Sequence, residues 1–194
     1  MLISESGDTG TVKMLILSGG SPNGKTYRMC QSFISALPDG WDASLVQISD
    51  GIAHCTGCNR CRTGDCVFHD DVDDIVREMD AADAVIFATP IRFNGPSSMM
   101  KTVIDRFQSV WNRPDRISPK RRFFTFMATA GSENPNLAPC TSIFRSFCMA
   151  FGGTWIEPFC VSGTDQNGTD PTGPAKGYAV QFSDTVRDII SAER

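Results

Sequence analysis

Short apolar runs alternate with segments of helical spacing along nearly the whole chain. Met14–Leu17, Ala43–Ile48, Ala84–Ala88, Phe123–Ala128 and Trp155–Val161 read as strands. Lys25–Leu37, Val72–Ala82, Ser97–Trp111, residues 138–151 and Ala175–Ala192 repeat apolar side chains at helical intervals. Pro38-Asp39-Gly40 stops the first helix, and Asp70 or Asp71 suits the N-cap of the second. A strand with no polar alternation must be covered on both faces, and strand–helix–strand crossovers make neighbouring strands parallel. The pattern therefore predicts one α/β domain over residues 13–194, a doubly wound five-stranded parallel sheet with helices on both faces. Residues 1–12 are expected to be a disordered leader, with Met14 as an alternative start of translation. Residues 49–71 are expected to be a long cysteine-rich loop inserted after the second strand, and residues 163–174 a second loop.

Composition narrows the setting. Of 194 residues, 41% are hydrophobic and 21% charged, and the net charge is −4. Broad nucleic-acid binding wants a basic face, so no nucleic-acid partner is expected. The longest apolar runs fall far short of the roughly 20 residues of a membrane span, and residues 1–13 lack the basic and apolar regions of a signal peptide. The chain is expected in the cytoplasm and off the membrane. There its eight cysteines are thiols or metal ligands rather than disulfides. Cys30, Cys140, Cys148 and Cys160 lie among apolar residues and read as buried packing.

In a doubly wound sheet the ligand sits at the carboxyl ends of the strands. Three loops follow strands there, 18–26, 89–96 and 129–134, all rich in small or polar residues. The first contains Gly19–Thr26, GGSPNGKT, which satisfies the pattern G-x-x-x-x-G-K-[ST] between a strand and a helix. Small residues let backbone N–H groups face a phosphate, and the helix N-terminus adds partial positive charge. Ser21, Lys25 and Thr26 add hydroxyls and a cation. A nucleotide kinase or triphosphatase would also need an acid at the end of an apolar strand to hold Mg²⁺. Ala84–Ala88 ends in Thr89-Pro90 and Phe123–Ala128 in Thr129-Ala130, so that alternative is incomplete.

Cys55, Cys58, Cys61 and Cys66 form the spacing C-x2-C-x2-C-x4-C. Four thiolates this close can wrap one iron–sulfur cluster. Structural zinc usually takes two pairs split by a longer spacer. Free thiols or a redox disulfide are a third alternative. Arg60 and Arg62 would offset the charge of a thiolate-ligated cluster. His54 and His69 read as surface residues, and no hydrolase arrangement of Ser or Cys with His stands out.

The turn Gly20-Ser21-Pro22, the stretch Thr89-Pro90-Ile91-Arg92-Phe93-Asn94-Gly95-Pro96-Ser97-Ser98, and Lys101 with Ile104-Asp105-Arg106 resemble the flavodoxin-like NADPH-dependent FMN reductases. Cys55–Cys66 followed by Asp70-Asp71 resembles their iron–sulfur flavoprotein branch. The resemblance covers roughly residues 13–165. It implies a flavodoxin-like fold and an FMN-dependent oxidoreductase, fed by NAD(P)H as electron donor. A 4Fe–4S cluster on the four cysteines is implied as well, with a quinone, flavin, ferredoxin or O₂ as acceptor. A non-enzymatic electron carrier of flavodoxin type is the further alternative.

By the same resemblance, Ser21, Asn23, Gly24, Lys25 and Thr26 hold the FMN phosphate. Pro90, Ile91, Arg92, Phe93, Asn94 and Gly95 lie along the isoalloxazine ring, and Ala130, Gly131 and Ser132 form a third wall. Lys25 stands where Asn is common in the family, and Arg92 where an aromatic residue is usual. Phe93, Phe107 and Trp111 are expected to pack, with shielding of a flavin as the alternative. Asp105 and Arg106 are expected to form an exposed helical ion pair, on a helix resembling the region that makes family members homodimers or higher homo-oligomers.

Overall fold

A computed structural model of the chain describes residues 11–192. Val12 already belongs to the first strand, and residues 1–10 of the expected leader lie outside the described residues. The elements run β1 (Val12–Ser18), α1 (Lys25–Ile34), β2 (Trp41–Gln47), α2 (Val72–Ala81), β3 (Ala84–Pro90), α3 (Ser98–Arg106), α4 (Gln108–Trp111), β4 (Phe123–Thr129), α5 (Ala138–Ala150), β5 (Thr154–Trp155), β6 (Phe159–Val161) and α6 (Thr172–Ala192). Every strand pair is parallel, in the order β2-β1-β3-β4-β5, with β6 also on β4. This is the flavodoxin-like strand order.

Alternation along the strands sorts the core into two layers. Leu15, Leu17, Val85, Phe87, Phe124, Phe126 and Ala128 face α2, α3, α4 and α5. Met14, Ile16, Ala84, Ile86, Ala88, Phe123 and Met127 face α1 and α6. Both sets are buried, so β1, β3 and β4 read as continuous apolar runs. β2 lies at the edge, alternates in exposure, and tolerates Asp42, Ser44 and Gln47. Each buried Phe or Leu contributes roughly 1.5–3 kcal/mol, which fixes strand register.

Several boundaries depart from the expected ones, three of them for a physical reason that the contacts show. The run Trp155–Val161 is not one strand. Thr154 pairs with Phe123, but Phe159 pairs with Met127, so this strand spends one residue more than β4 over the same stretch. That is a β-bulge. Pro158 has no N–H for the ladder, and the Glu157 carbonyl accepts instead from the hydroxyls of Thr125 and Tyr178.

The helix expected over Ser97–Trp111 breaks at Phe107. Its N–H is shared between the Val103 and Ile104 carbonyls, and the Ser109 hydroxyl takes up the Arg106 carbonyl. α6 begins three residues before Ala175, because both carboxylate oxygens of Asp170 accept from Thr172. Among the described residues no helix is long and apolar enough to cross a membrane.

Candidate functional site

The carboxyl ends of β1, β3, β4 and β6 meet around a cavity of about 130 Å³. The loop after β1 closes one side. Asn23 is left-handed there, with φ 58°, and the Gly24 N–H donates to the Ser21 carbonyl. A Cβ at Gly20 would lie 2.7 Å from the Thr26 Cβ, so glycine is what lets the loop fold onto α1. No side chain caps the start of α1, which leaves its first N–H groups and its dipole for an anion. Gln47, at the end of β2, donates to the Ser18 and Gly20 carbonyls and buttresses this loop.

Of the residues expected to hold a cofactor, Ser21, Gly24, Lys25, Thr26, Pro90, Arg92 and Gly131 line this cavity. Thr26 is buried, and its hydroxyl lies 2.7 Å from that of Thr129. The Lys25 ammonium donates to the Thr164 carbonyl and, at 2.8 Å, to Asp165. That bond, with the Lys25 charge behind it, holds the Asp165 carboxyl below its ordinary range. A Cβ at Gly131 would come within 2.5 Å of the Asp165 carboxylate.

Thr129, Thr164 and Asp165 were not expected at this site. Thr164 and Asp165 follow β6, so the rule that singled out the other three loops reaches them as well. Ala130 and Ser132, expected beside Gly131, do not line this cavity. Ala130 is buried, donating to Val161 and accepting from Thr164, and the Ser132 carbonyl accepts from Gly163.

The loop after β3 is a tight hairpin. Arg92 and Gly95 exchange two backbone hydrogen bonds of 2.9 Å, while Phe93 and Asn94 both lie in the left-handed region, at φ 47° and 64°. This is the geometry of a two-residue type I′ turn. Asn accepts it easily. Phe does so at a cost of about 1–2 kcal/mol, and its ring is fully exposed, at 105%. The packing expected of Phe93 is thus overturned, as is that of Trp111, which is exposed as well. Phe107 does pack, edge-on against Phe147 and Phe151. Ile91 is half-buried against the core, whereas Asn94 and Gly95 shape the hairpin tip.

Cys55, Cys58, Cys61 and Cys66 line a second cavity of about 50 Å³, together with Phe68, Arg106 and Gln108. Gly57 and Asn59 are left-handed, and a 3₁₀ turn at Arg60–Arg62 follows. None of the eight cysteines is paired in a disulfide; Cys30, Cys140 and Cys148 are buried and Cys160 half-buried. Among the described residues no three His, Cys, Asp or Glu side chains close on a common point.

Arg106 holds the loop shut. It is 3% exposed and donates to the Ala53 and Phe68 carbonyls and, at 2.7 Å, to Asp70. Burial alone would raise the Asp70 carboxyl, but Arg106 and the N–H groups of Ala53 and Val72 outweigh it and hold it below its usual value. Asp70 also caps α2 through Val72. The expected exposed pair of Asp105 with Arg106 does not form, since Asp105 takes Lys101 instead. Arg106 Nε is buried with no partner among the described residues. Four sulfur donors beside an orphaned cationic N–H fit a thiolate-ligated, negatively charged group.

A larger cavity, about 730 Å³, lies beside Arg122 and Thr154, which flank the amino end of β4. It is remote from the carboxyl ends and shares no residue with either site.

The family model for NADPH-dependent FMN reductase matches residues 12–165. An iron–sulfur flavoprotein of Archaeoglobus fulgidus is 27% identical over 168 residues, 85% of this chain and 82% of that protein. One of Methanosarcina thermophila is 31% identical over 130 residues, 63% of this chain and 65% of that protein. Among solved structures, a flavone reductase superposes with a TM-score of 0.69 at 20% identity, over 92% of this chain and 64% of its own. A WrbA-like flavodoxin of Agrobacterium tumefaciens superposes at 0.62 and 20% identity, over 92% and 99%. These two likenesses show the shared fold. The match over residues 12–165 goes further: the chain belongs to the NADPH-dependent FMN reductase family and is an FMN-dependent oxidoreductase.

Proposed function

We propose that the protein takes electrons from NAD(P)H and releases them to a quinone, a flavin, a ferredoxin or a similar acceptor. When bound, FMN supplies hydride chemistry with a nicotinamide, and a 4Fe–4S cluster supplies one-electron chemistry. Ser21, Asn23, Gly24, Lys25 and Thr26, with the N-terminus of α1, hold the FMN phosphate. Residues 90–95 and Gly131 flank the ring, and Arg92 offers a cation to negative charge arising there. Cys55, Cys58, Cys61 and Cys66 are the cluster ligands, with Arg106 keeping their loop folded.

The observation that carries this reading is the pairing of two cavities. One is glycine-lined and basic at the carboxyl ends of the strands, and the other is lined by all four clustered cysteines. The names of the relatives support the second. By the family likeness the chain works as a homodimer or higher homo-oligomer in the cytoplasm.

Anaerobic mixing of the FMN-loaded protein with NADPH or NADH tests the donor. Loss of flavin absorbance with either is the expected result. Flavin that dithionite reduces but neither nicotinamide does would contradict it and favour a one-electron carrier.

A further inference from the structure

Asn112 stands at the end of α4 with its side chain against the cysteine loop. Its Nδ2 donates to the Cys61 sulfur at 3.2 Å. The other end of the same amide is fixed, because Gln108 Nε2 donates to Asn112 Oδ1 at 3.3 Å, one helical turn away. With Oδ1 engaged by Gln108, Nδ2 is the end of the Asn112 amide that faces sulfur. Nearby, the unpartnered Nε of Arg106 is buried in the wall of the cavity that Cys61 and Cys66 also line.

We propose that Asn112, oriented by Gln108 and seconded by Arg106, is a positioning residue that sets the reduction potential of a cluster held by Cys55, Cys58, Cys61 and Cys66. The inference rests on the cluster reading above and adds to it which residues of the chain tune the site. The physical cause is charge. A cluster on four thiolates is anionic, and its reduced form carries one negative charge more. An N–H aimed at a ligand sulfur therefore stabilises the reduced form more than the oxidised one, and the potential rises. Gln108 and Asn112 lie on α4, outside the phosphate cavity, so the flavin is not expected to feel them.

The test is a redox titration of anaerobically prepared full-length protein, with the cluster followed by electron paramagnetic resonance and the flavin by absorbance. Two variants share the shape of Asn112. Asn112→Leu removes the donor, and Asn112→Asp keeps the acceptor for Gln108 but turns a negative oxygen toward sulfur. Both keep α4 and the half-buried position.

With iron and sulfide equal to the parent, Asn112→Leu is expected to make cluster reduction roughly tenfold less favourable, a fall of about 59 mV. Asn112→Asp is expected to fall further, and the flavin potential to stay unchanged in both. Fully loaded variants with the parent's cluster potential would overturn this inference and leave the cluster reading standing. Parent protein without iron and sulfide would overturn both.

Discussion

Lys25 and Thr26 carry the phosphate cavity at the level of single side chains. Each offers a donor to a charged group, and such bonds are worth about 1.5–3 kcal/mol. Lys25→Ala with Thr26→Ala is therefore expected to raise the FMN Kd at least about 100-fold, since each 1.4 kcal/mol is tenfold. Flavin fluorescence titration reads this directly, and an unchanged Kd would remove the loop after β1 from the site. Phe93 makes the opposite kind of argument. Its left-handed backbone and exposed ring place it against its own conformational preference, as residues at ligand clamps often are. Phe93→Asn is expected to stabilise the flavin-free protein by about 1 kcal/mol while weakening FMN binding, as compared by urea unfolding and titration. A more stable variant with parental affinity would mean that the exposed ring does not serve the site.

At the scale of elements, charge pairs tie the segment before β4 to the rest. In the segment Arg113–Arg122, Arg116, Lys120 and Arg122 pair with Asp73, Asp83 and Asp80 outside it, while Arg113 pairs with Asp115 within it. Arg122 is buried and donates to the Met79, Asp80, Ser118 and Lys120 carbonyls as well as to the Asp80 carboxylate. Burial pulls the Arg122 pKa down, and the Asp80 charge opposes that pull. The hydrogen bonds from Ser118, with Arg122 and Lys120 behind them, hold the Asp80 carboxyl below its ordinary value against its own burial. A carboxyl with a lower pKa folded than unfolded stabilises the fold above about pH 4 and loses that contribution as pH falls through the folded value. Asp80→Asn is thus expected to cost stability near neutral pH and progressively less toward about pH 3. Urea midpoints across that range would show it, and a cost independent of pH would contradict the pairing.

The same scale shows what was legible in the sequence. β1, β3 and β4 were, because burial on both faces leaves continuous apolar runs. The placement of the loop after β1 at the cavity was, because its glycines and Lys25 lie within eight residues. The bulge between β5 and β6 was not, since it depends on hydroxyls of Thr125 and Tyr178 arriving from other elements. Arg106 was misread for a similar reason. Asp105 is its chain neighbour, but its true partner, Asp70, lies across the cysteine loop. Thr164 and Asp165 escaped because the position of their loop depends on β6 pairing with β4.

Taken as a whole, the molecule sets two cavities on one frame. The phosphate cavity sits where the strands end, and the cysteine cavity is walled by α3, α4 and the loop after β2. The 12–165 match shows the FMN reductase family, and the proposed function assigns the flavin to the first cavity. The cluster proposed for the second is the claim most open to direct test. Iron, acid-labile sulfide and flavin should be measured together on protein purified without air. The account predicts one FMN with about four irons and four sulfides per chain, as a cluster on four cysteines requires. A full complement of flavin with neither iron nor sulfide would contradict it, and would leave Cys55, Cys58, Cys61 and Cys66 as thiols beside an ordinary FMN site.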